Sequence, residues 1–227
     1  MPYLDNFIFG IYPYIVLTVF IVGCLIRFER EQYSWKSDSS QLLYKGQLRL
    51  GNILFHIGIL GLFFGHLIGL LSPLALWKFL GISHSFKQLF AMGLGGVLGI
   101  CCLIGILILL HRRFTCERIS LNSTWRDKFL LGWLFVTLCL GLSTIFVSAH
   151  HLDGAQMVRL MTWAQHIITG RGDAASYVAN ASIIFKIHLF MGMSVFLMFP
   201  FTRLVHVFSG FASLFYLTRV WQLVRPR

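Results

Sequence analysis

Four histidines stand inside two long apolar stretches of this chain, where little water is available to hydrogen-bond an imidazole. His56 and His66 occur in NILFHIGILGLFFGHLIGLL, and His188 and His206 occur in IIFKIHLFMGMSVFLMFPFTRLVHVF. An imidazole in hydrocarbon costs free energy unless partners occupy its nitrogens. Two histidines on each of two segments can hold two haems, with an imidazole on both faces of each iron. The alternative is that each imidazole forms a hydrogen bond with a partner of its own, which requires four separate polar partners.

The spacing of these histidines fits two antiparallel helices. His56 and His66 are ten residues apart, roughly 15 Å along a helix, and His188 and His206 are eighteen apart, roughly 27 Å. The two stretches are the second and the fifth of the five membrane spans that the sequence predicts, so they cross the membrane in opposite directions. We therefore expect His56 to pair with His206 and His66 with His188. Eighteen residues are five helical turns, so His188 and His206 share one face of a continuous helix. A tilt, or a bend near Pro200, must then absorb the unequal separations.

Glycines and arginines near the histidines suit a large flat ligand. Glycine removes side-chain bulk where a macrocycle edge approaches the backbone, and arginines level with the inner pair can meet haem propionates. The alternatives are close helix packing for the glycines and anchoring at the membrane edge for the arginines. The residues are Gly58, Gly61, Gly65, Gly69 and Gly192, with Arg112, Arg113 and Arg203.

The composition is that of a membrane protein. The 227 residues are 57% hydrophobic and 12% charged, and the mean hydropathy is +0.76. We expect an all-α integral membrane protein that forms one domain over residues 1–227, a bundle of five transmembrane helices. The predicted spans are Ile8–Ile26, Leu54–Leu76, Leu89–Leu110, Phe129–Ala149 and Ile183–Phe208.

Basic residues are distributed unevenly between the two sides of these spans. Five lie between the first and second spans, five between the third and fourth, and four at the C-terminal end, whereas the other side holds five of the 19. By the positive-inside rule, the N-terminus is predicted outside and the C-terminus in the cytoplasm. The net charge of +11 therefore reflects membrane topology and does not indicate a nucleic-acid partner.

Two connecting segments have helical patterns of their own. After the fourth span, Met157, Leu160, Met161 and Ala164 recur at helix spacing, which predicts a helix along the membrane face. The C-terminal stretch GFASLFYLTRVWQLVRPR is amphipathic, and either lies on the cytoplasmic leaflet or docks a soluble partner.

The sequence resembles the cytochrome b, or gamma, subunit of the membrane-bound respiratory nitrate reductase over essentially its whole length. The resemblance implies five spans, an outside N-terminus, two b-type haems and a place in the inner membrane of a bacterium. The segments that carry it are NFIFGIYPYI, QYSWKSDSSQ, NILFHIGILGLFFGHLIGLLSP, HHLDG and IIFKIHLFMGMSVFLMFPFTRLVHVF.

The resemblance also implies an electron path across the membrane. Ubiquinol or menaquinol is oxidised near the outer haem and releases its protons outside. Electrons then pass through the outer and inner haems to a cytoplasmic iron-sulfur beta subunit and a molybdenum-containing alpha subunit. Lys87, in FKQLFAMG, matches a lysine associated with the quinol site in this family, with Gly65 and His66 forming the nearby wall. Without the resemblance, Lys87 would be an ordinary lysine near the membrane surface.

Two other functions are alternatives to this one. A related dihaem subunit could anchor another cytoplasmic reductase, of the heterodisulfide or sulfite reductase kind. A histidine-bearing transporter or metal-ion carrier would need carboxylates inside the spans, yet Asp and Glu total only eight and none lies in a span interior.

Overall fold

The computed structural model describes residues 2–31 and 48–208, and these residues form helices and turns without a β-strand. The C-terminal stretch GFASLFYLTRVWQLVRPR and most of the connection between the first and second spans lie outside the described residues. In chain order, the α-helices are α1 (Pro2–Asn6), α2 (Tyr12–Arg30), α3 (Leu48–Leu71), α4 (Leu74–Phe79), α5 (His84–Thr115), α6 (Glu117–Asn122), α7 (Trp125–Ala149), α8 (Ala155–Ile168), α9 (Ser176–Ala179) and α10 (Ile183–Met198).

Five helical stretches of the described residues are long and apolar enough to cross a membrane, which confirms the predicted bundle. Many of their large apolar side chains are exposed on the outside of the bundle, as lipid-facing residues must be. The stretches are Tyr3–Arg30, Leu48–Leu71, His84–Thr115, Trp125–Ala149 and Ile183–Phe201.

The second span is shorter at its end than the sequence predicted. Helix α3 stops at Leu71, and Pro73 has an extended ψ of 142° before the separate helix α4 begins at Leu74. The predicted span Leu54–Leu76 joined these two helices. The break follows from Pro73, because proline disfavours helical geometry in the residue before it and offers no N–H to continue the helix.

The fifth span also differs from its prediction. Helix α10 ends at Met198, and two 3₁₀ turns, Phe199–Phe201 and Arg203–Val205, flank Thr202, whose backbone is extended. The expectation of a continuous five-turn helix from His188 to His206 is therefore wrong. The break lies at Pro200, the place where a bend was expected.

Helices α3 and α5 touch backbone to backbone through glycines. A Cβ added to Gly58 would lie 2.6 Å from the backbone nitrogen of Cys102, and one added to Gly105 would lie 2.3 Å from that of Phe55. Gly58 follows His56 by two residues, which is about 200° around the helix. The close contact with α5 therefore leaves His56 pointing away from α5.

Helix α8 packs into the bundle, and its predicted apolar face is partly correct. Met161 and Ala164 are buried, together with Trp163, which the pattern did not include. The indole N–H of Trp163 donates to the carbonyl oxygen of Phe9 at 2.9 Å. Phe9 lies in a π-helical turn, Phe7–Ile11, between α1 and α2. This contact joins α8 to the N-terminal span.

Candidate functional site

The four histidines form two facing pairs between α3 and the last span. The ring centres of His56 and His206 are 6.2 Å apart, and those of His66 and His188 are 6.1 Å apart. These are the pairs that the antiparallel order of the spans predicts. We call the end of the bundle near His66 and His188 the Lys87 end, and the end near His56 and His206 the Arg203 end.

Each of the four rings donates a hydrogen bond from Nδ1 to a backbone carbonyl. The acceptors are Asn52 for His56 (2.8 Å), Leu62 for His66 (2.7 Å), Thr137 for His188 (3.1 Å) and Arg203 for His206 (2.6 Å). Since a carbonyl can only accept, Nδ1 carries the proton and the lone pair of a neutral imidazole lies on Nε2. This is the arrangement that orients a histidine as a metal ligand through Nε2.

The separation within each pair fits an iron between the two rings. Two metal–imidazole bonds of about 2 Å, plus the distance from each nitrogen to its ring centre, add up to roughly 6 Å. His66 is exposed on the bundle surface although it lies in a membrane-spanning helix. An imidazole in that place needs a ligand or a polar partner.

The described residues contain no cluster of three or more His, Cys, Asp and Glu side chains that could hold a metal ion. A haem iron needs only two protein ligands, because the porphyrin supplies the other four. The donor set present therefore fits a bis-histidine haem at each pair. The haem ligation itself stays a prediction.

His188 packs against α7, a contact that the sequence did not indicate. A Cβ added to Gly141 would lie 2.9 Å from Cε1 of His188 and 3.4 Å from its Nε2. One turn earlier on the same helix, Thr137 provides the carbonyl that binds Nδ1. Gly141 and Thr137 are far from His188 in the chain, so no local pattern indicates this contact.

The glycines expected beside a macrocycle divide into two groups. Gly58 and Gly61 face α5, where an added Cβ would lie 2.8 Å or less from Cys102 or Leu98. For these two glycines the macrocycle interpretation is wrong and the alternative, close helix packing, is correct. For the remaining three, no atom lies within 4 Å of an added Cβ, which leaves their surfaces accessible to a flat ligand; these are Gly65, Gly69 and Gly192.

Two of the three arginines at the Arg203 end share a carboxylate partner that the sequence did not indicate. Arg203 Nε donates to Asp127 Oδ1 at 2.7 Å, and Arg113 Nη1 lies 3.8 Å from Asp127 Oδ2. Arg112 is buried in α5, only 5% exposed. Contact of these three arginines with haem propionates stays a prediction.

Lys87 lies in the first turn of α5 and is buried, only 6% exposed. Its Nζ donates to the carbonyl oxygen of Gly69 and to Met161 Sδ, both at 3.1 Å, and lies 4.0 Å from the centre of the Trp77 ring. Gly69 follows His66 by three residues on α3. The ammonium group is thus held about one helical turn from the His66–His188 pair, among neutral partners.

A hydrogen-bonded group lies at the Lys87 end outside the spans. His166 Nδ1 binds Asp173 Oδ1 at 2.7 Å, and the hydrogen bond lowers the pKa of Asp173. Gln165 donates to the carbonyl oxygens of Leu70 and Ser72, which fixes the end of α3 against α8. These contacts hold α8 at the end of the bundle, next to Lys87.

The fold defines a helical membrane protein with two facing pairs of histidines between α3 and the last span. Residues 5–227 match the family described as nitrate reductase gamma subunit. The chain is 46% identical to the respiratory nitrate reductase 2 gamma chain of Escherichia coli (strain K12), over 100% of this chain and 99% of that protein. It is 37% identical to the nitrate reductase gamma chain of Bacillus subtilis (strain 168), over 97% of each.

The chain belongs to the nitrate reductase gamma subunit family. It is a multi-pass bacterial membrane protein and a membrane subunit of a respiratory nitrate reductase, an oxidoreductase complex. This assignment favours nitrate reductase over an anchor for a heterodisulfide or sulfite reductase.

Proposed function

We propose that this subunit binds two b-type haems and oxidises quinol for a nitrate reductase. His56 and His206 would hold the inner haem, and His66 and His188 the outer one. The observation that carries the proposal is the pair geometry: two facing imidazoles about 6 Å apart, twice, each with Nδ1 bound to a carbonyl. When bound, the haems would supply one-electron carriers at two depths in the membrane.

The chain's own residues give the two haem sites different surroundings. At the Lys87 end, His66 is exposed, and Gly65 and Gly69 leave the nearby backbone accessible. At the Arg203 end, the pair lies beside a cluster of arginines with one carboxylate. A neutral, apolar substrate from the lipid suits the first site, and a charged or water-soluble partner suits the second.

We therefore assign quinol oxidation to the Lys87 end. The Lys87 ammonium can donate a hydrogen bond to a quinol oxygen in place of one of its neutral partners, Gly69 or Met161. Its burial keeps the group at a fixed position near the outer pair. Protons from quinol would leave at this end, which the distribution of basic residues predicts to face outward.

We assign the contact with the other nitrate reductase subunits to the Arg203 end. An iron-sulfur beta subunit would accept electrons next to the Arg203 end and deliver them to a molybdenum-containing alpha subunit, both in the cytoplasm. The excess of basic residues predicted on this side supports that orientation.

The proposal is tested by the haem content of the purified complex. We expect two b-type haems per gamma chain in a dithionite-reduced minus oxidised spectrum, and reduction of both by quinol. His66→Tyr and His206→Tyr should each remove one haem and leave the other. Two haems retained in both variants would contradict the ligand assignment, and a colourless wild-type chain would contradict the proposal as a whole.

A further inference from the structure

We propose that Arg27 and Asp127 are positioning residues for the inner haem, acting through the segment that precedes His206. We call this segment, residues 199–205, the strap. It replaces the continuous helix that the sequence predicted, and it brings His206 opposite His56. The inference rests on the proposed function, because it assigns these two residues to the ligand pair of the inner haem.

The strap has backbone carbonyls that the end of α10 cannot satisfy by helix hydrogen bonds. Thr202 is extended, with φ of −122° and ψ of 179°, and the N–H of Leu204, which a helix would direct to the carbonyl of Pro200, donates to Thr202 Oγ1. Arg27 Nη1, from the last turn of α2, donates to the carbonyl oxygens of both Pro200 and Thr202 at 2.8 Å. A single guanidinium thus fixes the two residues on either side of Phe201.

The same part of α2 also fits the shape of the strap. A Cβ added to Gly23, one turn before Arg27, would lie 2.8 Å from two carbons of the Pro200 ring. Gly23 therefore lets α2 approach the strap closely enough for the arginine to reach both carbonyls. Removal of the guanidinium would leave carbonyls in an apolar region with fewer donors, which favours a different path of the chain.

Asp127 holds the other end of the strap. It binds Nε and Nη2 of Arg203 with its two oxygens, and the backbone carbonyl of Arg203 accepts the hydrogen bond from Nδ1 of His206. Asp127 is itself fixed, because it forms a capping box with Thr124 at the start of α7. The connection from α7 to the ligand ring passes through one residue, Arg203.

Both restraints come from helices that carry no haem ligand, α2 and α7, and both act at the Arg203 end. His188, in contrast, lies within the regular helix α10. Changes at Arg27 or Asp127 should therefore affect the inner haem and leave the outer haem unchanged. A general loss of structure would affect both haems.

The test uses Asp127→Asn and Arg27→Gln in the purified complex. The readouts are the low-spin electron paramagnetic resonance signal and the midpoint potential of each haem, assigned with His66→Tyr and His206→Tyr. We expect both variants to alter the inner-haem signal in the same way, since both release the strap. The inner haem should also change its reduced-to-oxidised ratio at fixed potential about tenfold, equivalent to about 59 mV for one electron.

Charge alone predicts a different result. Loss of a negative charge stabilises the reduced haem and loss of a positive charge destabilises it, so the two variants would shift the potential in opposite directions without a shared change of signal. Asp127→Glu, which keeps the charge and the capping box, should restore the wild-type signal, and Arg27→Lys should restore part of it.

The matched control is Asp5→Asn, because Asp5 pairs with Lys186 at the Lys87 end. It should leave the inner-haem signal unchanged. Wild-type inner-haem signals in both Asp127→Asn and Arg27→Gln, or an equal change at both haems, would overturn the inference while the two-haem proposal stands. Absence of haem from the wild-type complex would instead overturn the proposed function.

Discussion

Nδ1 of His206 lies 2.6 Å from the carbonyl oxygen of Arg203, three residues earlier in the chain. The two histidines of α3 use the carbonyl four residues earlier, which a regular helix provides. His188 uses a carbonyl of α7. All four rings therefore donate from Nδ1, but His206 and His188 depend on supports in different parts of the fold. Substitutions at the support of His206 should affect the inner haem, and those at the support of His188 the outer haem.

Gly141→Val should disturb the outer haem. Its side chain would meet the ring of His188, since even a Cβ would lie 2.9 Å from Cε1. We expect loss of the outer haem, or an altered spectrum of it, with the inner haem retained. Difference spectra and haem-to-protein ratios of the purified complex measure this.

Gly132→Val provides the control on the same helix. No atom lies within 4 Å of a Cβ added to Gly132, so the haem content should match that of the wild type. Equal haem content and identical difference spectra in the two variants would show that Gly141 does not position His188.

Gly105→Ala should destabilise the bundle by separating α3 from α5. The added Cβ would lie 2.3 Å from the backbone nitrogen of Phe55, and a backbone atom cannot move away as the end of a side chain can. Overpacking of this kind costs about 1–3 kcal/mol. Thermal unfolding of the purified complex in detergent should occur at a lower temperature.

Gly95→Ala lies on the same helix with no atom within 4 Å of the added Cβ. It should unfold at the wild-type temperature or slightly above, because alanine favours helix over glycine. A Gly105→Ala variant as stable as Gly95→Ala would contradict the close contact of α3 with α5.

Much of this structure is predictable from local pattern. The apolar spans and their order are sufficient to predict five helices and which histidines face each other. Pro200 marks the place where α10 ends. Three features depend on contacts between residues far apart in the chain, and no spacing or composition encodes them. They are the path of the strap, the packing of His188 on Gly141 and the pairing of Arg203 with Asp127.

The glycines of α3 show, within one helix, the same limit on what local sequence can predict. Gly58 and Gly65 look alike in the sequence, yet Gly58 meets the α5 backbone and Gly65 meets no neighbour within 4 Å. Which face of α3 packs on α5 is decided by the partner helix, through Cys102 and Gly105. The sequence of α3 alone supports either role for each glycine.

Lys87→Gln should reduce quinol oxidation without loss of haem. The lysine donates to Gly69 on the helix of His66, and its removal takes away a cationic donor near the outer pair. We expect turnover with quinol to fall roughly tenfold or more, as for loss of a group that assists proton transfer. Dithionite should still reduce both haems.

Lys78→Gln is the matched control, because Lys78 is exposed in the last turn of α4. Its turnover should equal that of the wild type. Normal turnover in Lys87→Gln would remove this lysine from the quinol site and leave the haem ligands unaffected.

The most direct test of the paired-ligand arrangement is the haem count of double variants of the purified complex. His56→Ala with His206→Ala removes both ligands of one haem, so one b-type haem per chain should remain. His56→Ala with His188→Ala removes one ligand from each pair, so both haems should be lost. One haem remaining in the second variant, or none in the first while the complex still assembles, would contradict the pairing.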